Sequence, residues 1–163
     1  MKIFFNMLFQ LINRFKNLFL TGSYTTQQQA ISLALGTYVA FCPFIGFHTV
    51  MMLFFSWTWS LNGPLMICFS YLINNPWTMI PVYFFDYWVG TKLIIFFGLE
   101  NMQEPAFMIW INNLLQAYFK EISISGWAFL IGGNLVGLVA GIITYCFAFL
   151  LLRHYYQRVS HRS

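Results

Sequence analysis

Two short stretches interrupt the apolar runs of this chain with a proline and with polar side chains. One reads Phe41-Cys42-Pro43-Phe44-Ile45-Gly46-Phe47-His48-Thr49, the other Ile73-Asn74-Asn75-Pro76-Trp77-Thr78-Met79-Ile80-Pro81. The chemistry they suit is binding. Asn75 before Pro76 is a helix-start signature, with Asn as cap and Pro at the first helical position, where no N–H is needed. Asn74 before it can supply a left-handed end to the incoming helix. Gly46-Phe47-His48-Thr49 opens a second half-helix in the same way. Two half-helix N-termini at similar depth would present free N–H groups and positive dipole ends, which favours an anion, phosphate above all. His48 adds a switchable proton; Thr49, Asn75 and Thr78 add neutral donors. Pro43, Gly46, Asn74, Pro76 and Pro81 set the breaks in the backbone, and replacing Pro76 by Ala is expected to rejoin the helix.

Each of these residues has a plainer role beside the chemical one. His48 can satisfy a neighbouring carbonyl. Asp86 is the acidic residue of the hydrophobic stretch; it either pairs with Lys92 near an interface or couples binding to protons. Tyr83 is either an interfacial anchor or reaches the site. Cys42, Cys68 and Cys146 are isolated in apolar runs and read as small buried hydrophobes. The three histidines are scattered, so no metal-ligand spacing exists and no metal or cofactor is expected. No nucleophile–base pair, phosphate loop or dinucleotide fingerprint is present, and an enzyme is not expected.

Composition says what must position these groups. Of 163 residues, 60% are hydrophobic and 7% charged, against about 25% charged in soluble domains. The chain therefore reads as an all-α, multi-pass membrane protein. Its 20 Phe, 6 Trp and 9 Tyr suit lipid-facing and interfacial surfaces. They lie in apolar runs without interleaved Arg or Lys, so nucleic acid is not an expected partner. The net charge of +4 sits mainly at the ends and reads as membrane orientation.

Residues 1–24 form an amphipathic interfacial helix and a turn on this reading. Lys2, Asn6, Gln10, Asn13 and Asn17 share one face, and Thr21-Gly22-Ser23 makes the turn. Residues 25–152 form the membrane domain. Thr25 with Gln28, or Thr26 with Gln29, makes a capping box ahead of a helix that ends at Cys42-Pro43. Further helices are expected from Gly46 to Ser60, Leu65 to Ile73 and Pro76 to Leu99, with a tight turn at Leu61-Asn62-Gly63-Pro64. The apolar pieces around the breaks are short of the roughly 20 residues a full crossing needs. Such pairs point to broken or re-entrant helices around a midplane site. Phe107 to Phe119 suggests another interfacial helix. Gly126 to Leu152 is the one clean spanning segment. Its Gly133, Gly137 and Gly141 form a small-residue face, for this chain's own helices or for a homo-oligomer. Residues 153–163 form a basic tail that the positive-inside rule puts in the cytoplasm with the N-terminus, while the acidic 100–121 connection sits outside.

The ordered set Ala34-Leu35-Gly36, Pro43-x-x-Gly46-x-His48-Thr49, Asn62, Asn75-Pro76-x-Thr78-x-x-Pro81-x-Tyr83 and Gly90 resembles a bacterial membrane family, domain of unknown function 2062. The likeness covers about residues 25 to 152. Phe41-Cys42 stands where the family usually has a small residue before its proline. The resemblance implies an integral protein of the bacterial inner membrane, joined in some relatives to sugar-transferring domains; it implies no settled activity. The expected function is a small transporter or translocase for an anionic lipid, such as a polyisoprenoid phosphate, or for a small anion. The rival is a non-transporting scaffold that recruits a membrane glycosyltransferase. Membrane lipids are partners on either reading.

Overall fold

The computed structural model describes residues 24–44, 46–118 and 124–160. The expected N-terminal amphipathic helix and the turn at residues 21–23 lie outside the described residues. Among those described, the chain is six helices: α1 Thr26–Phe41, α2 His48–Thr58, α3 Gly63–Ile73, α4 Pro76–Phe96, α5 Ala106–Tyr118 and α6 Gly126–Ser160.

Local chemistry sets the boundaries. Of the two capping boxes the sequence allows, the one built on Thr25 forms: Gln28 N–H donates to Thr25 Oγ1 at 3.2 Å, and Thr25 N–H donates to Gln28 Oε1 at 2.8 Å. α1 stops where Pro43 forces Cys42 into extended backbone, φ −67° and ψ 132°. Gly46, at φ +89°, turns the chain into α2. α2 closes through Ser60, which takes φ +49° despite its side chain. Leu61 N–H to Ser56 O and Ser56 Oγ to Leu61 O hold that turn. α3 begins at Gly63, earlier than Leu65, because Asn62 caps it through Leu65 N–H and Pro64 sits in its first turn. The expected tight turn at Asn62-Gly63-Pro64 is thus a helix start.

α6 is the hub. α1 and α4 both pack along it antiparallel: Ala34, Tyr38 and Phe41 meet Gly141, Gly137 and Gly133 in turn, while Asp86 and Gly90 meet Gly132 and Ala128. α3 lies on α1 in the same sense, with Asn62 N–H on Ser32 Oγ and the Met66 carbonyl against Gly36. α2 folds back on α3, and Val39, Met52, Leu61 and Met66 close a small apolar core between them. Hydrogen bonds cross the α1–α6 seam at Thr37–Thr144, Tyr38–Asn134 and Tyr156–Gln29. α5 is tied to the start of α6 by Asn112, whose amide exchanges two hydrogen bonds with Ile124.

Among the described residues two helices, not one, are long and apolar enough to cross a membrane: Pro76–Phe96 and Gly126–Arg158. Pro81 does not divide α4, which runs 21 residues through it; the proline only deprives the Trp77 carbonyl of its helical N–H partner. α6 continues beyond Leu152, so Arg153 and Arg158 stand exposed on a 35-residue helix rather than on a separate tail. Trp57, Trp77, Phe84, Phe96 and Phe147 all face outward.

Candidate functional site

The second break is built by Asn75 and Thr78. Asn75 Oδ1 accepts from Trp77 N–H at 3.0 Å and Thr78 N–H at 3.1 Å, while Thr78 Oγ1 accepts from Asn75 N–H at 3.0 Å. Thr78 Oγ1 also donates to the Ile73 carbonyl, and Asn75 Nδ2 donates to Leu72 O. Pro76 has no N–H, and Met79 N–H bonds Asn75 O. Every early donor of α4 is thereby satisfied within the chain. The early N–H groups of α4, expected to be free, are bonded within the chain, and the Asn75 and Thr78 side chains, expected as ligand donors, form the cap. Asn74 is not left-handed either; it takes φ −103° and ψ 77°, because Pro76 holds Asn75 extended and the chain crosses the break without reversing. Asn74 and Asn75 together separate α3 from α4, so Pro76 alone does not keep the helices apart.

The first break is different. Phe47 is the N-cap of α2, and no side-chain hydrogen bond among the described residues caps that helix. His48 lies half-buried and reaches back across the break, where Nε2–H donates to the Cys42 carbonyl at 2.8 Å. This is the plainer of its two roles, and it commits one ring nitrogen. Thr49 Oγ1 shares a hydrogen bond with Tyr71 Oη at 2.8 Å, joining α2 to α3. Beside the start of α2 opens an apolar cavity of about 640 Å³, lined by Pro43, Phe44 and Phe47 of the break, Met108 of α5, and Phe129 and Leu130 of α6.

Between the breaks lies a buried polar junction. Tyr83 reaches the second break: Asn74 Nδ2 donates to Tyr83 Oη at 3.2 Å. Its ring meets Phe129 edge-on. One residue of α4 therefore touches the second break. Asp86, one turn further along, is fully buried, and both carboxylate oxygens lack a hydrogen-bond partner among the described residues. Pairing with Lys92 is excluded, because Lys92 is exposed on the outside of the helix. Buried Cys42 completes the junction: its neighbours Phe41 and Pro43 lie against Gly133, next to the Gly132 that meets the Asp86 carbonyl.

The glycine face of α6 is occupied from within. A Cβ added at Gly133, Gly137 or Gly141 would lie 2.8, 2.9 or 3.1 Å from the Phe41, Tyr38 or Ala34 carbonyl oxygen of α1. Sequence reasoning missed the second contact line on the same helix: Gly132 lies against the Asp86 carbonyl, and Gly90 against that of Ala128. The signal was present as a glycine pair, Gly132-Gly133, whose members point to different faces about 100° apart. Among the described residues no group of His, Cys, Asp or Glu is arranged to hold a metal ion.

No curated protein and no solved structure matches this chain. The family described as "Uncharacterized protein conserved in bacteria (DUF2062)" matches residues 10–161, nearly the whole length, and spans both breaks, the junction and the glycine lines: the chain belongs to that family.

Proposed function

We propose that this protein is a small multi-pass protein of the bacterial cytoplasmic membrane that binds and translocates an amphiphile with an anionic head, of the polyisoprenoid phosphate type. The observation that carries the reading is the uncapped start of α2 beside the aromatic cavity. A helix N-terminus without a side-chain cap favours an anion, and a mostly apolar pocket of this size suits part of a hydrocarbon tail. The site thus moves from two opposed half-helix ends to one, since α4 is sealed by Asn75. The outward apolar faces of α4 and α6 support the membrane setting, and Arg153 and Arg158 support a cytoplasmic end for α6.

The test is thermal unfolding in lipid nanodiscs with a polyisoprenoid phosphate and with the matching uncharged alcohol. Only a ligand that binds the folded state raises the transition. The phosphate is expected to raise it more than the alcohol. Phe47→Asp places a carboxylate at the open cap; it should stabilise the free protein and remove the phosphate-specific increment. Equal shifts from phosphate and alcohol would refute an anion site.

A second reading, a non-transporting partner of an envelope glycosyltransferase, is favoured by the closure of the first break on itself through His48 and Cys42. Its partner surface would have to lie elsewhere than the glycine face, which α1 covers. Cysteine labelling at positions 48 and 75 from both sides of the membrane separates the two: a translocase admits water to them, a packing protein does not.

A further inference from the structure

Asp86 is out of balance with its surroundings. Both of its carboxylate oxygens and Oδ1 of Asn74 are buried without a hydrogen-bond partner among the described residues. Facing them from α4 is the Tyr83 hydroxyl, which already accepts from Asn74; from the end of α1 comes the Cys42 thiol. From α6 come only the backbone at Gly132 and apolar side chains, since Ala128–Gly133 contains no titratable residue. On α2, His48 Nε2 is committed to the Cys42 carbonyl, and Lys92 points outward. Among the described residues no cation offsets a negative charge at Asp86, and an ionised carboxylate without such a partner is costly in an apolar interior.

We propose that Asp86 is a proton-binding carboxylate whose protonation closes the junction of α1, α4 and α6. With the helices packed, the carboxyl is the neutral acid and carries no charge into the apolar interior. When the helices part, water reaches the carboxyl, the proton passes to that water, and the carboxylate is solvated. Closure is therefore favoured at low pH and lost as pH rises. The proposal rests on the membrane setting of the proposed function but not on its anionic ligand.

Cys42 lies in the same junction and is a native reporter. With Cys68 and Cys146 replaced by Ala, the full chain in lipid nanodiscs is titrated with pH while two signals are followed. One is the infrared carboxylic-acid C=O band, the other is maleimide labelling of Cys42 relative to the unfolded chain at the same pH. The expected result is an acid band at neutral pH that Asp86→Asn abolishes. In the parent this band fades as pH rises and Cys42 labelling grows; Asp86→Asn, permanently neutral, keeps Cys42 protected throughout. Asp86→Glu provides the second variant: its acid band shifts in frequency and still titrates with labelling. Absence of an Asp86 acid band while Cys42 is protected would overturn the proposal. So would pH-dependent labelling that persists in Asp86→Asn, or protection that follows Na⁺ rather than pH. No amphiphile is added, so failure of the anionic-ligand reading leaves this result intact, and the reverse holds.

Discussion

The backbone carbonyl of Asp86 lies directly against Gly132, with no room for a Cβ between them. The helix that carries the buried carboxylate is therefore held to α6 backbone to backbone at the level of the carboxylate itself. Gly90 against Ala128 repeats the contact one turn on. Small residues of this kind let helices approach closely in a bilayer, where packing and not hydrophobic exclusion drives association.

Gly132→Ala should separate α4 from α6 and cost at least the roughly 1–3 kcal/mol of an overpacked core. Gly141→Ala meets the Ala34 carbonyl at 3.1 Å and should cost clearly less, because a small shift of α1 relieves it. Thermal unfolding of both variants in the same detergent checks the order; equal losses would show that the α4–α6 seam is not the tighter one.

Asn75→Ala should remove the α4 cap and cost about 1 kcal/mol, with the same loss whether or not an anionic amphiphile is present. A loss confined to the ligand-bound protein would return Asn75 to the binding site. Asn75→Asp should retain the cap, since its carboxylate accepts the same amides of Trp77 and Thr78.

Pro76→Ala should leave the break in place, because the non-helical Asn74 and Asn75 and the capping box divide α3 from α4 without it. Stability should change by less than about 1 kcal/mol. Pro81→Ala should straighten α4 and restore an N–H to the Trp77 carbonyl, stabilising the helix. Hydrogen exchange at the new backbone amide of that variant checks it: protection is the expected result.

Tyr83→Phe removes the acceptor of Asn74 Nδ2 and leaves both ends of that buried amide without a side-chain partner. The expected loss is about 1–3 kcal/mol, accompanied by faster maleimide labelling of Cys42. Unchanged Cys42 protection would mean that Tyr83 anchors the second break only.

What the sequence by itself determined is everything that rests on neighbours in the chain. Thr25 and Gln28, Cys42-Pro43, and Asn75-Pro76 each fix a boundary through bonds made within five residues, so they act the same in any fold. The apolar composition likewise identified helices fit for a bilayer. The uses of the polar groups were decided by tertiary structure. Asn75 reads as a cap or as a ligand until its partners are known, and the first role consumed the atoms the second required. Tyr83 reads as an anchor or a site residue until Asn74 is placed opposite its hydroxyl. Gly132 and Gly133 are adjacent letters that serve two different helices, because neighbouring residues on α6 face about 100° apart. Asp86 and Lys92 share one helix, yet one is sealed against α6 and the other exposed. That difference depends on which face of α4 the bundle covers, a long-range choice that no local spacing encodes.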